Sequence, residues 1–146
     1  MTRDEVHLFF GRRQQAWTAR DPDALTRTHA EDGTVVSPMF GMVQGRPRIA
    51  ETYRALFDAF RDWEYVADEL IVDGDRVAEA FTVRATHSGD FMGIAGTGRR
   101  FEVQGVLLFV MRDGLIGSER RVYDFTGLLI QIGVLRGRPA QGALAL

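Results

Sequence analysis

The stretch RRFEVQGVLLFVMRDGLIGSERRVYDFTGLLIQIG, residues 99–133, decides the fold of this chain. Two strand-like apolar runs, at residues 101–111 and 115–123, flank the dipeptide Asp113-Gly114. An Asp-Gly dipeptide between two such runs is the strongest short-range signal for a β-hairpin. We therefore expect two long antiparallel strands here.

The first of these strands has two apolar faces. Residues of one face alternate with those of the other, as side chains do along a strand. One face carries Phe101, Val103, Leu107, Phe109 and Met111, and the other carries Val106, Leu108 and Val110. A strand that is apolar on both faces is typical of a central position, so we expect this strand to be covered on both sides.

The period of the pattern changes after Tyr123. Asp124 is a helix-capping residue, apolar residues then recur at helical spacing, and Gly133 ends the run. The sequence therefore predicts a short terminal helix over residues 125–132.

The preceding chain supplies helices first and strands afterwards. The patterns predict helices over residues 3–19 and from Pro22 onward, a short strand at 34–37, a helix opening at 45–47, and a hairpin of strands 63–72 and 76–87. His29 falls near the end of the second helix, where we expect a surface or C-terminal helix residue and not a ligand. The glycine-rich segment 88–98 joins two strands, which predicts a loop at the rim of the fold. This order predicts an α+β domain with helices on one face of an antiparallel sheet.

Composition limits the class of protein. The 146 residues carry a formal net charge of −2 and no cysteine. One domain is the expectation for this length, and the scattered basic residues give no footprint for nucleic acid or an anionic membrane. No apolar run is long enough to cross a bilayer, so the cytoplasm is the expected location. The three histidines lie in different elements and no cysteine is present, so we expect no metal site.

Several sequence segments occur in the order found in one known family. They are Gly-Arg-Pro-Arg-Ile at 45–49, His-Ser-Gly-Asp-Phe-Met-Gly at 87–93, Arg-Arg-Phe at 99–101, the Asp-Gly turn at 113–114, and Tyr-Asp-Phe-Thr-Gly-Leu-Leu-Ile-Gln-Ile-Gly at 123–133. The chain thus resembles the SnoaL-like polyketide cyclase group of the nuclear-transport-factor-2-like superfamily over about residues 5–135.

The resemblance implies a cone-shaped, curved antiparallel sheet packed on N-terminal helices, with a pocket inside. It implies a SnoaL-like domain over residues 1–135, followed by a tail at 136–146 that is rich in Gly, Ala and Pro. Proteins of this superfamily include isomerases, cyclases, hydrolases and binding modules, so the fold alone does not give the function.

The resemblance also points to two positions of the cyclase acid/base dyad. The aspartate of the last strand corresponds to Arg121 here, and ungapped counting from Arg99 places the family's histidine at Leu107. An arginine stays protonated near neutrality and cannot act as a general base, although it can stabilise an enolate or bind a carboxylate. The aldol cyclase mechanism therefore lacks both of its residues.

The candidate site residues lie on the predicted inner faces. Alternation alone gives two possible faces for the last strand, and the resemblance selects the one that carries Glu119, Arg121 and Tyr123. We take these three and His87 as candidate catalytic residues, with Glu119 as the partner of Arg121 and His87 as a proton carrier or a loop anchor. Five further residues are predicted to line the pocket: Trp17, Tyr53, Phe57, Leu107 and Phe109. Tyr53 is either a core aromatic residue or a hydroxyl offered to a ligand.

Two functions fit these observations. The first is binding of a small, mostly apolar, carbonyl-bearing molecule, polyketide-like or steroid-like, with cofactor-free isomerisation, cyclisation or hydration. The second is a non-catalytic ligand-binding or dimerisation module. Because Val106, Leu108, Val110, Ile116 and Val122 are predicted to form an apolar outer face, we also expect a homodimer.

Overall fold

The computed structural model describes residues 1–142 and contains a single six-stranded sheet with its helices packed on the inner face. The α+β prediction is confirmed. The elements in chain order are α1 (Arg3–Thr18), α2 (Pro22–Thr26), β1 (His29–Ser37), β2 (Gly41–Gln44), α3 (Arg46–Ala59), β3 (Glu64–Asp73), β4 (Arg76–Thr86), β5 (Arg100–Arg112), β6 (Leu115–Tyr123) and α4 (Phe125–Gln131).

The helix starts follow the capping signals in the sequence. The Thr2 side chain accepts from the backbone N–H of Glu5 while the Glu5 side chain accepts from that of Thr2, which forms a complete capping box on α1. The Asp21 carboxylate caps α2 in front of a proline at the first helical position. The Asp124 carboxylate accepts from the backbone N–H of Gly127 and caps α4.

The strand order in the sheet is β2-β1-β6-β5-β4-β3. The predicted hairpins β3–β4 and β5–β6 are present, and β4 pairs with β5 along its whole length. The early strand β1 adds to the sheet by pairing parallel with β6. This pairing brings the first part of the chain beside the last strand.

The core lies between the helices and the inner face of the sheet. Val6, Phe10 and Trp17 of α1 are buried there against inward residues of the strands, such as Phe109 and Val77. Within one chain, β5 is covered on this side only: Leu108 on its outer face is 42% exposed. The sequence predicted that both faces of β5 are covered. Covering the outer face would require a second molecule.

The first two strands differ from the sequence prediction. The strand expected at 34–37 already begins at His29, and residues 41–44, for which the sequence predicted no strand, form β2. The backbone N–H of Gly45 donates to the carbonyl of Gly33 at 2.8 Å and extends the β1–β2 pairing at the end away from the turn. A short segment of this kind becomes a strand because it pairs with a neighbouring strand, which local propensity does not show.

A β-bulge changes the face of one predicted residue. The register of β5 and β6 shifts between Val110 and Met111, so that Gly117 is the extra residue and Ile116 pairs with the inward Met111. Ile116 is therefore fully buried and does not belong to the outer apolar face. The prediction for this residue was wrong because simple alternation assumes an unbroken ladder.

The predicted tail at 136–146 lies partly outside the described residues. Residues 136–142 contain no helix or strand. The division of the chain into a domain at 1–135 and a tail stays a prediction.

Candidate functional site

A narrow cavity lies inside the fold between the helices and the inner face of the sheet. The cavity volume is about 30 Å³. This space has room for roughly two waters. Apolar side chains dominate its wall, which includes Trp17, Phe40, Trp63, Leu107 and Leu128. A ring compound is larger than this space, so side chains of the wall must move for one to bind.

A buried carboxylate bridges two arginines beside this cavity. Nη2 of Arg13 lies 3.0 Å from Oε1 of Glu119, and Nε of Arg121 donates to Oε2 of the same carboxylate. The side chain of Glu119 has no exposed area, and those of Arg13 and Arg121 are 1% and 10% exposed. The predicted pairing of Glu119 with Arg121 is thus present, and Arg13 is a second partner.

Tyr53 and His29 complete the hydrogen bonding of this cluster. The Tyr53 hydroxyl oxygen accepts from Nη2 of Arg13 at 2.9 Å and from Nη2 of Arg121 at 3.3 Å, and it lies 2.8 Å from Nε2 of His29. Because its oxygen accepts from two arginines, the hydroxyl donates its own proton to Nε2 of a neutral His29. The name arginine cluster refers below to a set of six residues: Arg13, Thr28, His29, Tyr53, Glu119 and Arg121. Thr28 belongs to it because its hydroxyl accepts from Arg13 at 2.5 Å.

Burial and the two arginines shift the acidities within the arginine cluster. Burial alone would raise the pKa of the Glu119 carboxyl, but the charges of Arg121 and Arg13 outweigh it and lower that pKa to about 2. Burial lowers the pKa of His29 to about 3, and the charge of Arg13 acts in the same direction. Burial also raises the pKa of Tyr53. Near neutral pH the cluster therefore holds two cations, one carboxylate and two neutral rings.

The strand register explains how β6 presents these residues. Glu119 pairs with Phe109 and Arg121 with Leu107 across β5 and β6, and both β5 residues are inward core residues. The inner face of β6 therefore carries Glu119, Arg121 and Tyr123, as predicted. Burial raises the pKa of the Tyr123 hydroxyl to about 12, against the opposing charge of Arg121.

A second buried carboxylate lies on the neighbouring strand. Glu79 of β4 is 3% exposed, and Oε1 of Glu79 accepts from the Tyr65 hydroxyl at 2.5 Å. Burial raises the pKa of Glu79, although the hydrogen bond from Tyr65 acts in the opposite direction. The Tyr65 ring stacks between Trp17 and Phe81 with interplanar angles of 14° and 18°, and all three rings line the cavity.

The predicted pocket residues separate into three groups. Trp17 and Leu107 line the cavity, together with Arg121 and Tyr123. Tyr53 lies behind them in the arginine cluster, as does Glu119. The other two pack elsewhere: Phe57 contacts Trp17 edge to face, and Phe109 contacts Phe10 in the same way.

His87 lies apart from the cavity, at the start of the glycine-rich segment. Its Nδ1 accepts from the backbone N–H of Thr97 at 3.2 Å, and its ring packs against Phe60 and Phe91. The segment it anchors packs on the end of α3, where the backbone N–H groups of Ser88 and Gly89 both donate to the carbonyl of Ala59. This geometry describes a loop anchor, and proton transfer by His87 stays a prediction.

No group of three or more His, Cys, Asp or Glu side chains within residues 1–142 is arranged to hold a metal ion. In the same part of the chain, none of the helices is both long and apolar enough to cross a membrane.

Sequence comparison identifies the family. The family model of the SnoaL-like polyketide cyclases matches residues 8–132. This chain is a member of the SnoaL-like polyketide cyclase family. No curated protein matches the sequence.

Solved structures share the fold of this SnoaL-like protein. The putative hydroxylase AclR from Streptomyces galilaeus is 25% identical, with a TM-score of 0.80 over 97% of this chain and 93% of AclR. IdmH, a putative polyketide cyclase from Streptomyces antibioticus, is also 25% identical, with a TM-score of 0.71 over 86% of this chain and 96% of IdmH. TerC, co-crystallised with polyporic acid, is 18% identical, with a TM-score of 0.72 over 88% of this chain and 97% of TerC.

Sequence reasoning missed three buried polar residues of this SnoaL-like protein. Arg13 occurs in the apolar stripe of α1, and Glu79 occurs between the inward residues Val77 and Phe81 of β4. In both cases the signal was available in the sequence: the apolar periodicity of the element places a charged residue on its buried face. His29 carried no such signal, because its burial depends on the pairing of β1 with β6.

We expect His29 to make the fold sensitive to mild acid. Its pKa is about 3 in the folded chain and 6.5 in model peptides, so as the pH falls below 6.5 the unfolded chain gains a proton that the folded chain does not. The free energy of unfolding should therefore fall by about 2 kcal/mol between pH 7 and pH 5 through this group. Urea melts at the two pH values measure this loss.

The variant His29→Gln should lose most of this pH dependence, since a glutamine amide can still accept from Tyr53 but does not titrate. His7→Gln is the matched control, because His7 is exposed on α1. If His29→Gln and the parent chain lose the same stability between pH 7 and pH 5, a buried neutral His29 is contradicted.

Proposed function

We propose that this SnoaL-like protein binds a small, mostly apolar, carbonyl-bearing ring compound in its cavity, with Arg121 at the carbonyl oxygen. The observation that supports this most directly is an arginine in an otherwise mostly apolar wall. Arg121 lines the cavity, and its Nε and Nη2 are held by Glu119 and Tyr53. A guanidinium fixed in this way is a preorganised donor for an oxygen that carries partial or full negative charge.

The comparisons support the same class of ligand. A family of polyketide cyclases matches most of the chain, and TerC, a structural relative, was crystallised with polyporic acid. We propose a polyketide-like or steroid-like compound for the present protein on this basis, with no cofactor in the reaction.

The proposed reaction class is isomerisation, cyclisation or hydration. In each of these, negative charge develops on a carbonyl or leaving oxygen, and Arg121 would stabilise it. Glu119 is a poor base for such a reaction because its pKa is about 2 and it contacts two cations. The proton carrier is therefore a different group, and His87 remains the candidate that the sequence proposes.

The alternative is a binding module without turnover. Leu107 and Arg121 face each other across β5 and β6, at the two positions where the resemblance places the histidine and aspartate of the cyclase dyad. Neither side chain can accept a proton from carbon near neutral pH. This observation favours ligand binding without the aldol chemistry of the family.

Ligand binding can be measured with the natural fluorescence of the protein. The chain has two tryptophans, and both line the cavity. We expect 2-decalone, an apolar bicyclic ketone, to change their emission in a saturable manner. The variant Val103→Phe, which adds a ring to the cavity wall, should weaken this binding at least about tenfold, because a filled site excludes the ligand. Leu8→Phe, on the exposed face of α1, is the control. Unchanged emission up to millimolar ketone would contradict the proposal.

The same ketone in heavy water separates the enzyme from the binding module. Proton transfer beside the carbonyl replaces the α-hydrogens by deuterium, which proton NMR measures directly. Catalysed exchange above the buffer rate supports the enzyme, and His87→Ala should then reduce it by about 10²–10⁴-fold if His87 carries the proton. Saturable binding without exchange supports the binding module. Undiminished exchange in His87→Ala excludes His87.

We also propose that the protein is a homodimer through the outer face of the sheet. Val106, Leu108 and Val122 on this face are 37%, 42% and 46% exposed, and Val36 and Ile71 extend the apolar area to neighbouring strands. An exposed apolar area of this kind is typical of an interface. The cytoplasmic location expected from the sequence likewise stays a prediction.

Light scattering at micromolar concentration should give twice the mass of one chain. Leu108→Glu places a charge in the proposed interface and should give monomers, whereas Leu8→Glu on α1 should leave the mass unchanged. A parent chain that is monomeric under these conditions contradicts the dimer.

A further inference from the structure

The charges inside the fold do not balance within the arginine cluster. Among residues 1–142, Glu119 is the one carboxylate that contacts Arg13 and Arg121, and it uses both of its oxygens to do so. His29 is neutral at neutral pH and Tyr53 is a neutral hydroxyl. The groups in contact thus carry one positive charge in excess, in surroundings where an uncompensated charge is costly.

The second buried carboxylate does not cancel this excess by contact. Glu79 forms no salt bridge with either arginine among the described residues, and its hydrogen-bond partner is Tyr65. Burial raises the pKa of Glu79, although the hydrogen bond from Tyr65 and the charge of Arg13 act in the opposite direction.

The excess charge is open to the cavity at one arginine. Arg13 is 1% exposed and lies against the rings of Trp17 and Phe109, each 5.6 Å from its guanidinium carbon. Arg121 lines the cavity instead, and its Nη1 makes no hydrogen bond to any residue in the described range 1–142.

Other unused polar atoms around the cavity are also donors. The indole N–H groups of Trp17 and Trp63 are buried and find no acceptor in the described part of the chain, and both residues line the cavity. A buried donor without an acceptor costs free energy, so these atoms favour a ligand that supplies acceptor oxygens.

We propose that the ligand is an organic anion, a carboxylate or an ionised enol on an apolar ring system, whose oxygens accept from Nη1 of Arg121 and neutralise the arginine cluster. This inference rests on the proposed function, since it names the ionisation state of the polar group in the same cavity. It separates acidic ring compounds from neutral ketones of the same shape. Arg121 is then the residue that selects the ligand by charge.

The test compares two probes that differ in charge and hardly in shape. These are 2-naphthoate and 2-acetylnaphthalene, titrated into the full chain by calorimetry at pH 7.5. We expect 2-naphthoate to bind at least about tenfold more tightly, because charge-assisted hydrogen bonds are stronger than those to a neutral carbonyl. Equal affinities would overturn this inference and leave the proposed function intact. Failure of both probes to bind at millimolar concentration would overturn the proposed function itself.

Variants locate the origin of the preference. Arg121→Met should abolish the preference for 2-naphthoate, and Arg120→Met is the matched control because it removes the same charge from the exposed neighbour. If Arg121→Met folds poorly, the double variant Arg121→Met, Glu119→Gln removes one charge of each sign and serves the same purpose. Glu79→Gln should keep or increase the preference. A preference that survives in the double variant, or that disappears in Arg120→Met or Glu79→Gln, contradicts the assignment to Arg121.

Discussion

The contact of Glu119 with two arginines is the constraint on which the rest of the structure depends. It joins the first helix to the last strand, because Arg13 and Glu119 are 106 positions apart in the chain. Removing three charges from water costs several kcal/mol for each ion unless every group finds its partner. Thr28 in the α2–β1 connection and Tyr53 of α3 accept further hydrogen bonds from the arginines, and His29 at the start of β1 is hydrogen-bonded to Tyr53. The helices and strands must therefore meet in one arrangement for this cluster to be satisfied.

The same contact fixes a charged group in the wall of the cavity. An apolar wall built around a stack of Trp17, Tyr65 and Phe81 ends at a guanidinium that is already held by two of its three nitrogens. Such a guanidinium loses little further side-chain freedom when an oxygen binds to it. The resemblance places the dyad of the cyclases at Leu107 and Arg121, and we propose on this basis a site that holds a negative oxygen more than it moves a proton. In this proposal, Arg121 stabilises negative charge at the position where the cyclases have a general base.

The sequence predicted much of the fold because its patterns are local. The Asp113-Gly114 hairpin, the capping box at Thr2 and the alternation of β4 and β5 each depend on a few neighbouring residues, and each is present in the structure. The inward face of β6 followed from the resemblance, since alternation alone left both faces possible. Sequence reasoning failed where pairing between distant segments of the chain determines whether a residue is buried. Ile116 is buried by a bulge against β5, and His29 by the parallel pairing with β6, and neither partner is visible in the local pattern.

The arginine cluster could be predicted only in part for the same reason. Glu119 and Arg121 share a face two residues apart, so their pairing was predictable from β6 alone. Arg13 comes from a helix at the other end of the chain, and its place in the cluster depends on how α1 packs on the sheet. The apolar stripe around Arg13 indicated that it would be buried, but no local pattern could name the carboxylate it meets.

A double-mutant cycle on Arg13 and Glu119 tests the central claim most directly. Free energies of unfolding are measured in urea for Arg13→Met, Glu119→Gln and the double variant, with the exposed pair Arg84 and Glu102 as the control cycle. We expect each single variant to lose about 3–5 kcal/mol and the double variant to lose much less than their sum, because a buried charge without its partner is worse than no charge. The control cycle should show a coupling of about 0–1 kcal/mol. Additive losses for Arg13→Met and Glu119→Gln would contradict a fold that depends on this bridge.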